Sequence, residues 1–279
     1  MGSIYINRRL SLNKEVRISI LQKAVEAAHL GGQILTEGFG KLQKHQIGLK
    51  GRGDFITEMD YQSEKAILDY VRQHFPDHGI QAEESGEVDT DSEYKWIVDP
   101  LDGTANYVQG IPFFSVSIAV LKSNTPEYGV VYVPMLHEMF TAQKNEGAWL
   151  NGEAIHLSDK TDMEQAILST GFPWRSKEQL QPFLKAFEGI FSQSAGIRRM
   201  GSAAIDLAYT ACGRFEGFWE MALKPWDISA GVLMVEEVGG RVTDFTGGNT
   251  YFQSGNVVAG HPVIHEKMIA VTRQFLGHL

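Results

Sequence analysis

The sequence predicts an α/β protein in which layers of helices and sheets alternate. Three observations support this fold class: two helical patterns open the chain, short β-rich runs fill its middle, and strands alternate with helices in its second half. Such an order of elements is typical of layered domains, in which each sheet buries a face against helices. No linker interrupts the 279 residues, so we expect a single domain over 1–279, with an α+β half near 1–150 and an α/β half near 151–279.

The two opening helices are predicted from apolar spacing. Apolar residues recur at helical intervals over 12–38 and again over 58–75, and Pro76 follows the predicted end of the second helix. The segment between them, 44–54, is rich in glycine and lysine and is predicted to be a loop.

The middle and the second half are predicted from β-rich runs and their alternation with helical patterns. A hairpin turn is predicted at Asn151-Gly152, a dipeptide that favours the left-handed backbone of tight turns. We predict strands at 95–98, 115–121, 128–133, 139–143, 166–170, 215–220, 241–244 and 256–259. We predict further helices at 177–191, 202–212, 227–238 and 263–276.

Composition excludes several classes of function. No apolar run approaches the roughly 18 residues of a membrane span, and the N-terminal segment lacks the apolar core of a secretory signal. The single cysteine, Cys212, excludes an intramolecular disulfide and fits a reducing cytoplasm; we expect it to be a buried apolar side chain. A formal net charge of −9 disfavours nucleic acid and anionic membranes as partners. An anionic substrate would therefore need a bound divalent cation, because no dense Lys/Arg cluster is present.

Three acidic sites stand at the ends of otherwise apolar elements. They are Glu83 in Glu-Glu-Ser, Asp99 and Asp102 in Asp-Pro-Leu-Asp-Gly-Thr, and Asp227 in Lys-Pro-Trp-Asp. Taken alone, each has an ordinary structural interpretation: a solvated or capping acid, a plain turn, and a first-turn acid favoured by the helix dipole. The functional interpretation depends on the three sites occurring together.

The Asp99–Asp102 segment carries the chemistry of a Mg²⁺ site. Pro100 keeps Asp99 extended, and Asp-Gly is turn chemistry, so we expect a turn that brings the two carboxylates and the Leu101 carbonyl together. These are hard oxygen ligands, which suit Mg²⁺ rather than zinc. A shared carboxylate would hold two ions about 4 Å apart, a spacing that clamps a phosphoryl group and activates a water. The backbone at Gly103 could approach the anion.

Two long runs resemble the motifs of the inositol monophosphatase family. Residues 96–107 read WIVDPLDGTANY, and residues 226–231 read WDISAG, followed at 236–240 by EEVGG. The resemblance extends from about residue 15 to 276. It implies a layered α/β/α/β/α sandwich of the inositol monophosphatase and fructose-1,6-bisphosphatase type, usually a homodimer.

The resemblance also implies the metal ligands. By position, Glu83, Asp99 and the Leu101 carbonyl correspond to a tighter Mg²⁺ site. Asp99, Asp102 and Asp227 correspond to a second site, and Glu83 can reach a weaker third ion through water.

Catalytic and substrate-binding residues are implied in the same way. Residues 54–60, which read DFITEMD, resemble the family segment that orients the attacking water. By that match Asp60 and Thr104 act together with Thr57 nearby; the alternative is that Thr57 and Asp60 only cap the second helix. The residues implied to contact the phosphate are Asp102, Gly103 and Thr104. Those implied to line the alcohol side are Gly201, Ser202, Ala203 and Glu220, the last of which could instead be a surface acid of an edge strand.

Other charged residues have more than one interpretation. Lys50 occupies a loop position that often approaches a metal in the family, but we expect a solvated loop lysine. Arg198-Arg199 could meet a second substrate phosphate, a dimer partner or an ordinary ion pair. His261 and His265 have a helical metal-binding spacing, but Pro262 places His261 at the helix boundary, and we expect no metal there.

These observations predict a Mg²⁺-dependent phosphatase for small polyol phosphates, with inositol 1-phosphate as the expected substrate. The alternatives are related phosphatases for fructose 1,6-bisphosphate, a nucleotide bisphosphate, NADP or histidinol phosphate, since all would use the same carboxylates. A different alternative is an additional binding role in transcription, as in some bacterial relatives. Because the motifs contain neither cysteine nor histidine, we expect direct attack by water and no covalent phosphoenzyme.

Overall fold

The computed structural model describes residues 2–51, 53–174 and 176–279, with side chains described from residue 20 onward. The helices are α1 (Gly2–Gly38), α2 (Glu58–His74), α3 (Thr104–Val108), α4 (Leu180–Phe191), α5 (Ala203–Ala211), α6 (Pro225–Glu237), α7 (Tyr251–Ser254) and α8 (Pro262–Leu276). The strands are β1 (Ile47–Gly51), β2 (Asp54–Thr57), β3 (Gly79–Ala82), β4 (Gly86–Val88), β5 (Tyr94–Asp102), β6 (Ser115–Lys122), β7 (Thr125–Val133), β8 (Glu138–Gln143), β9 (Gly147–Leu150), β10 (Glu153–Ala154), β11 (Ile167–Thr170), β12 (Gly196–Arg198), β13 (Gly217–Glu220), β14 (Arg241–Thr243) and β15 (Val257–Gly260).

These strands form two large sheets and one hairpin. The first sheet has eight strands in the order β10-β9-β8-β7-β6-β5-β3-β4, and the second has five in the order β12-β11-β13-β15-β14. The first is antiparallel except where β3 runs parallel to β5. In the second, β11 runs parallel to both β12 and β13, and the remaining pairs are antiparallel. The hairpin consists of β1 and β2.

Helices pack against the sheets in five layers. Helices α1 and α2 cover the outer face of the eight-stranded sheet, and α4 and α8 cover the outer face of the five-stranded sheet. Between the sheets lie α5 and α6. This order confirms the predicted α/β/α/β/α architecture.

The two central helices are apolar on all sides because sheets lie on both sides of them. Every residue of α5 is buried, as is α6 from Asp227 to Val235. A helix that is apolar all round is the pattern expected for such a position. Two acidic side chains, Asp206 and Asp227, lie within these buried stretches and are exceptions there.

Some element predictions differ from the structure. Helix α1 begins at Gly2 rather than at residue 12, and the predicted loop 44–54 contains most of the β1–β2 hairpin. The strand predicted at 95–98 is longer in the structure, because β5 continues to Asp102 with a register irregularity between Asp99 and Asp102; the chain then turns at Gly103, where the Asp-Gly dipeptide predicts a turn. The Asn151-Gly152 turn is confirmed, with φ of 51° and 86°. Among the described residues, no helix combines the length and the hydropathy of a membrane span.

Candidate active site

One cleft collects the ends of several elements from different layers. Glu83 follows β3, Asp102 ends β5, Glu220 ends β13, and Asp227 lies in the first turn of α6. The cleft has a volume of about 230 Å³, below the roughly 300–1,000 Å³ of drug-sized ligand pockets. It is therefore sized for a small ligand. The predicted metal-binding and alcohol-side residues all line this cleft.

Three carboxylates converge at its centre. Asp99, Asp102 and Asp227 each offer an oxygen within 4.8 Å of the others. Hydrogen bonds hold them: Asp99 Oδ1 accepts from the Leu101 N–H at 2.9 Å, and Asp227 Oδ2 accepts from the Lys224 N–H at 2.7 Å.

Asp102 is held from a different layer of the fold. Its Oδ2 accepts from the Ser202 hydroxyl at 2.6 Å and from the Ala204 N–H at 2.8 Å. Both donors lie at the start of α5, where Ser202 is also the N-cap and accepts from the Ile205 N–H. The start of α5 therefore fixes one carboxylate of the cluster, 102 residues away from Ala204 in the chain.

The cluster is electrostatically suited to a cation. Burial raises the pKa of Asp99 well above its usual range, and the charges of Glu83, Asp102 and Asp227 raise it further. Mutual repulsion of this kind is relieved by a bound divalent ion, and carboxylate oxygens are the ligands that Mg²⁺ prefers. The Leu101 carbonyl adds a hard oxygen at the same place. The residues present therefore fit a Mg²⁺ site.

Glu83 lies in the same cleft but outside the close triad, and its carboxylate pairs with Lys50. The Lys50 ammonium lies 2.9 Å from Glu83 Oε1 and 2.5 Å from Glu84 Oε1. Burial lowers the pKa of Lys50, but the two carboxylates outweigh burial, and the net shift is upward. The expectation of a solvated loop lysine was wrong, because the β1–β2 hairpin carries Lys50 onto the acidic pair.

Asp60, Thr57 and Thr104 form a connected group beside the cluster. Asp60 Oδ2 accepts from the Thr57 hydroxyl at 2.6 Å and from the Thr57 N–H at 2.8 Å. The Thr104 hydroxyl lies 3.1 Å from Asp60 Oδ1 and 3.0 Å from the Leu101 carbonyl oxygen. Burial raises the pKa of Asp60 to about 6, against the lowering effect of the Thr57 hydrogen bonds. Thr57 and Asp60 also form the capping box of α2, so capping and contact with Thr104 coexist.

The turn at Gly103 has no room for a side chain. Gly103 has a φ of 99°, and a Cβ there would lie 3.2 Å from the Phe113 carbonyl oxygen and 3.3 Å from that of Gly201. Two backbone segments thus meet closely at this residue, which explains the glycine. Gly103 and Thr104 line the cleft as predicted.

The alcohol side also holds residues that the sequence analysis did not assign to it. Gly201, Ser202, Ala203 and Glu220 line it as predicted, and Gly171, Trp174 and Arg199 line it too. A Cβ on Gly171 would lie 1.9 Å from Glu220 Oε1, so this glycine makes room for the carboxylate. The place of Arg199 in the cleft is compatible with the interpretation that this residue meets a second substrate phosphate. In the sequence, Trp174 stands three residues after Gly171 and Arg199 two residues before Gly201, and this proximity to glycine was a weak signal.

The two histidines and the cysteine that the sequence analysis did not assign to the active site do not line the cleft. His261 caps α8 through its Nδ1, and His265 is buried with Nε2 2.9 Å from the Thr243 hydroxyl. Within the part of the chain that the structure describes, neither belongs to a cluster that could hold a metal ion. Cys212 is partly buried, and burial raises the pKa of its thiol.

Comparison with known proteins decides the family. The profile of the inositol monophosphatase family matches residues 18–276. The chain belongs to the inositol monophosphatase family. The Nus factor SuhB of Salmonella typhimurium and that of Escherichia coli K12 are each 43% identical to it over 259 residues, which span 92% of this chain and 97% of the relative.

Solved structures of inositol monophosphatase relatives share the fold. The extragenic suppressor protein suhB from Bartonella henselae aligns with a TM-score of 0.89 at 39% identity, covering 92% of this chain and 99% of that one. The inositol monophosphatase from Anabaena (Nostoc) sp. PCC 7120 aligns with a TM-score of 0.81 at 36% identity, covering 94% and 98%. The resemblance and the α/β fold predicted from the sequence are thereby confirmed. The family consists of phosphatases that act on small phosphate-bearing molecules. The present chain has an acidic triad of the kind that such chemistry needs.

Proposed function

We propose that the protein is a Mg²⁺-dependent phosphatase that hydrolyses phosphate monoesters of small polyols, with inositol 1-phosphate as its substrate. The observation that carries the proposal is the convergence of Asp99, Asp102 and Asp227 within 4.8 Å in a cleft of small volume. Family membership and the structural likeness to an inositol monophosphatase support the same activity.

The proposed ligands divide as the family resemblance implies. Glu83, Asp99 and the Leu101 carbonyl would hold one ion, and Asp99, Asp102 and Asp227 a second, with a third ion reached by Glu83 through water. When bound, Mg²⁺ supplies charge stabilisation to the phosphoryl oxygens and lowers the pKa of a coordinated water. Gly103 and Thr104 form the turn that receives the phosphate, and Glu220 accepts hydrogen bonds from hydroxyls of the alcohol.

Thr104 and Asp60 are proposed to orient the attacking water. The single proton of the Thr104 hydroxyl serves either Asp60 or the Leu101 carbonyl. With the Leu101 carbonyl engaged as a ligand, the proton goes to Asp60, and the lone pairs of Thr104 Oγ1 accept from a water. Asp60, held by Thr57, then takes the proton of the Thr104 hydroxyl, while Thr104 Oγ1 takes the proton that the water loses.

Direct attack by water is the proposed chemical step. Among the described residues that line the cleft there is neither cysteine nor histidine, and each aspartate of the triad is needed as a ligand. A single displacement inverts the configuration at phosphorus. Hydrolysis of a chiral thiophosphate monoester in isotopically labelled water should give inversion, and retention would show two successive displacements and exclude this step.

The activity is tested with a panel of monoesters. We expect Mg²⁺-dependent release of phosphate, fastest from inositol 1-phosphate, and a loss of roughly 100-fold or more in Asp99→Asn, because metal charge stabilisation is worth several kcal/mol. Asp69→Asn is the matched control, since Asp69 is an exposed carboxylate of α2 that pairs with Lys65. Full activity in Asp99→Asn would overturn the metal mechanism. If phosphate is released faster from fructose 1,6-bisphosphate, a nucleotide bisphosphate, NADP or histidinol phosphate, that compound would take the place of inositol 1-phosphate as the proposed substrate.

A second proposed role is binding to transcription machinery. The observation that favours it is the 43% identity to proteins named Nus factor SuhB, over 97% of their length. Pull-down of RNA polymerase and Nus proteins with the wild type and with Asp99→Asn tests it. Equal capture by both proteins would establish a role separate from catalysis, and no capture by either would exclude it. A cytoplasmic homodimer is part of the proposal, and sedimentation gives the oligomeric state directly.

A further inference from the structure

One buried amide joins the turn that is proposed to receive the phosphate to two other segments of the chain. Asn106 lies on α3, the short helix that begins directly after Gly103, and it is 8% exposed. Its Nδ2 donates to the carbonyl oxygen of Phe113 at 2.7 Å and to that of Met200 at 2.9 Å. Both hydrogens of the amide are thus used, one for the segment before β6 and one for the segment before α5.

The two segments that Asn106 binds are the segments that close around Gly103. A Cβ on Gly103 would lie 3.2 Å from the carbonyl oxygen of Phe113 and 3.3 Å from that of Gly201. Gly201 in turn leaves room for the amide, since a Cβ there would lie 3.0 Å from Asn106 Nδ2 and 3.2 Å from its Oδ1. The amide of Asn106 therefore sets how closely both segments approach the turn.

The segment that begins at Met200 continues into the wall of the cleft. The next two residues, Gly201 and Ser202, line the cleft, and the Ser202 hydroxyl donates to Asp102 Oδ2 at 2.6 Å. Asn106 itself is not among the described residues that line the cleft. Its influence on a bound ligand would therefore pass through the backbone segments that it holds.

We propose that Asn106 is a positioning residue for phosphate binding. Without touching the substrate, its amide holds the segments at Phe113 and Met200 against the turn at Gly103, and a phosphate site that is fixed before the ligand arrives binds it more tightly. The inference rests on the proposed phosphatase function. It adds a residue that determines affinity for the phosphate group, which all substrates share, and not for the alcohol.

The first test is Asn106→Asp, which keeps the shape of the side chain but replaces the donating amide with a carboxylate. At saturating Mg²⁺ we expect three constants to rise together by roughly tenfold, because a misplacement of about 1 Å is enough to weaken a site of this kind. They are KM for inositol 1-phosphate, KM for 4-nitrophenyl phosphate and the competitive inhibition constant of inorganic phosphate. The value of kcat should stay within about threefold, because Thr104 keeps its contacts with Asp60 and the Leu101 carbonyl.

Asn106→Ser is a milder variant that serves if the aspartate variant does not fold. Its hydroxyl has one proton and can serve only one of the two carbonyls, so the same three constants should rise several-fold. The matched control is Thr272→Val, which removes a buried hydroxyl that donates to the Phe245 carbonyl oxygen at 3.1 Å, away from the cleft. It should lower Tm without changing either KM or the inhibition constant.

Three results would overturn the proposal. The first is a folded Asn106 variant whose KM values and inhibition constant equal those of the wild type. The second is a rise confined to inositol 1-phosphate, which would place the effect on the alcohol side, and the third is an equal rise in Thr272→Val, which would attribute it to lost stability. Failure of the proposed function is distinct: the wild type would then release no phosphate from any monoester.

Discussion

Asp227 and Ser202 each hydrogen-bond the backbone at the start of a helix and also line the cleft. Asp60 does the same at the start of α2 and contacts Thr104. Capping fixes the rotamer of each side chain through bonds that are local in the chain, so little further support is needed to aim the remaining oxygen. For Thr57 and Asp60, capping and the proposed catalytic role are therefore compatible, because one geometry provides for both.

The pKa of Asp60 gives a prediction for the pH dependence of hydrolysis. Asp60 must be ionised to accept the proton of Thr104, and burial raises its pKa to about 6. The rate should therefore be half-maximal near pH 6, nearly full about one pH unit higher, and fall about tenfold per pH unit well below pH 6. Asp60→Asn should lose roughly 100-fold or more in kcat and show no such limb. A profile of kcat between pH 5 and 8 measures both.

Substitutions of Thr57 test whether the acidic limb of the pH profile belongs to Asp60, because the direction of the expected pH shift is known. Its hydrogen bonds lower the pKa of Asp60, so Thr57→Val should move the acidic limb to higher pH. Thr57→Ser keeps the hydroxyl and should leave the limb in place. If the acidic limb of the kcat profile lies at the same pH in Thr57→Val and Thr57→Ser, the group that titrates there is not Asp60. Thr57→Val also removes the cap of α2, which costs about 1 kcal/mol of stability, so the assay temperature must stay well below unfolding.

The β1–β2 hairpin shows what local sequence can and cannot predict. Segment 44–54 contains three glycines and reads as a loop, and its pairing emerges only when β1 meets β2 across the Gly51–Asp54 turn. The position of Lys50 against Glu83 depends on residues 33 apart in the chain, which no local pattern reports. The Asn151-Gly152 hairpin was predictable because its turn residues determine it by themselves.

The same contrast holds at β5. Asp-Pro-Leu-Asp consists of poor strand formers, yet Asp99 pairs with Ser117 and Asp102 with Ser115 across a register irregularity. Pairing with β6 overrides local preference there, and the irregularity accommodates Pro100. The proposed ligands Asp99 and Asp102 were predictable because they lie in one contiguous motif.

Lys50 links the hairpin to the proposed metal site and can be tested without an activity assay. Lys50→Met should lower the stability of the metal-free protein by about 1–2 kcal/mol, less than for a fully buried pair because the lysine side chain is 26% exposed. It also removes a positive charge from Glu83, so the Mg²⁺ concentration that half-saturates the rise in Tm should fall several-fold. Lys65→Met, which breaks an exposed pair with Asp69, should do neither. An unchanged Mg²⁺ midpoint in Lys50→Met would show that Lys50 does not influence the site.

At the scale of the whole molecule, the site depends on how closely the middle layer approaches the eight-stranded sheet. Helix α6 lies across β7, where Gly129 faces Ala230. Ala230 lies one turn after Asp227, so the distance between helix and sheet at Gly129 sets where that carboxylate lies. The five-layer packing thus positions one ligand of a cluster whose other members lie on β5.

Gly129→Ala is therefore predicted to weaken the fold and the site together. The added Cβ would lie 2.9 Å from the carbonyl oxygen of Ala230 and 3.1 Å from its Cα, and both are backbone atoms that cannot rotate away. Replacing glycine gains about 0.4–1 kcal/mol from the unfolded chain, whereas overpacking costs about 1–3 kcal/mol, so the cost should win. Since α6 must shift, phosphate release should fall roughly tenfold or more and the Mg²⁺ midpoint should rise.

The matched control is Gly79→Ala in the same sheet, where the nearest atom lies 3.4 Å from the new Cβ. Denaturant unfolding and Mg²⁺ titration of the two variants test this prediction. If Gly129→Ala is as stable as Gly79→Ala and its Mg²⁺ midpoint is unchanged, the packing of α6 against β7 does not determine the position of Asp227.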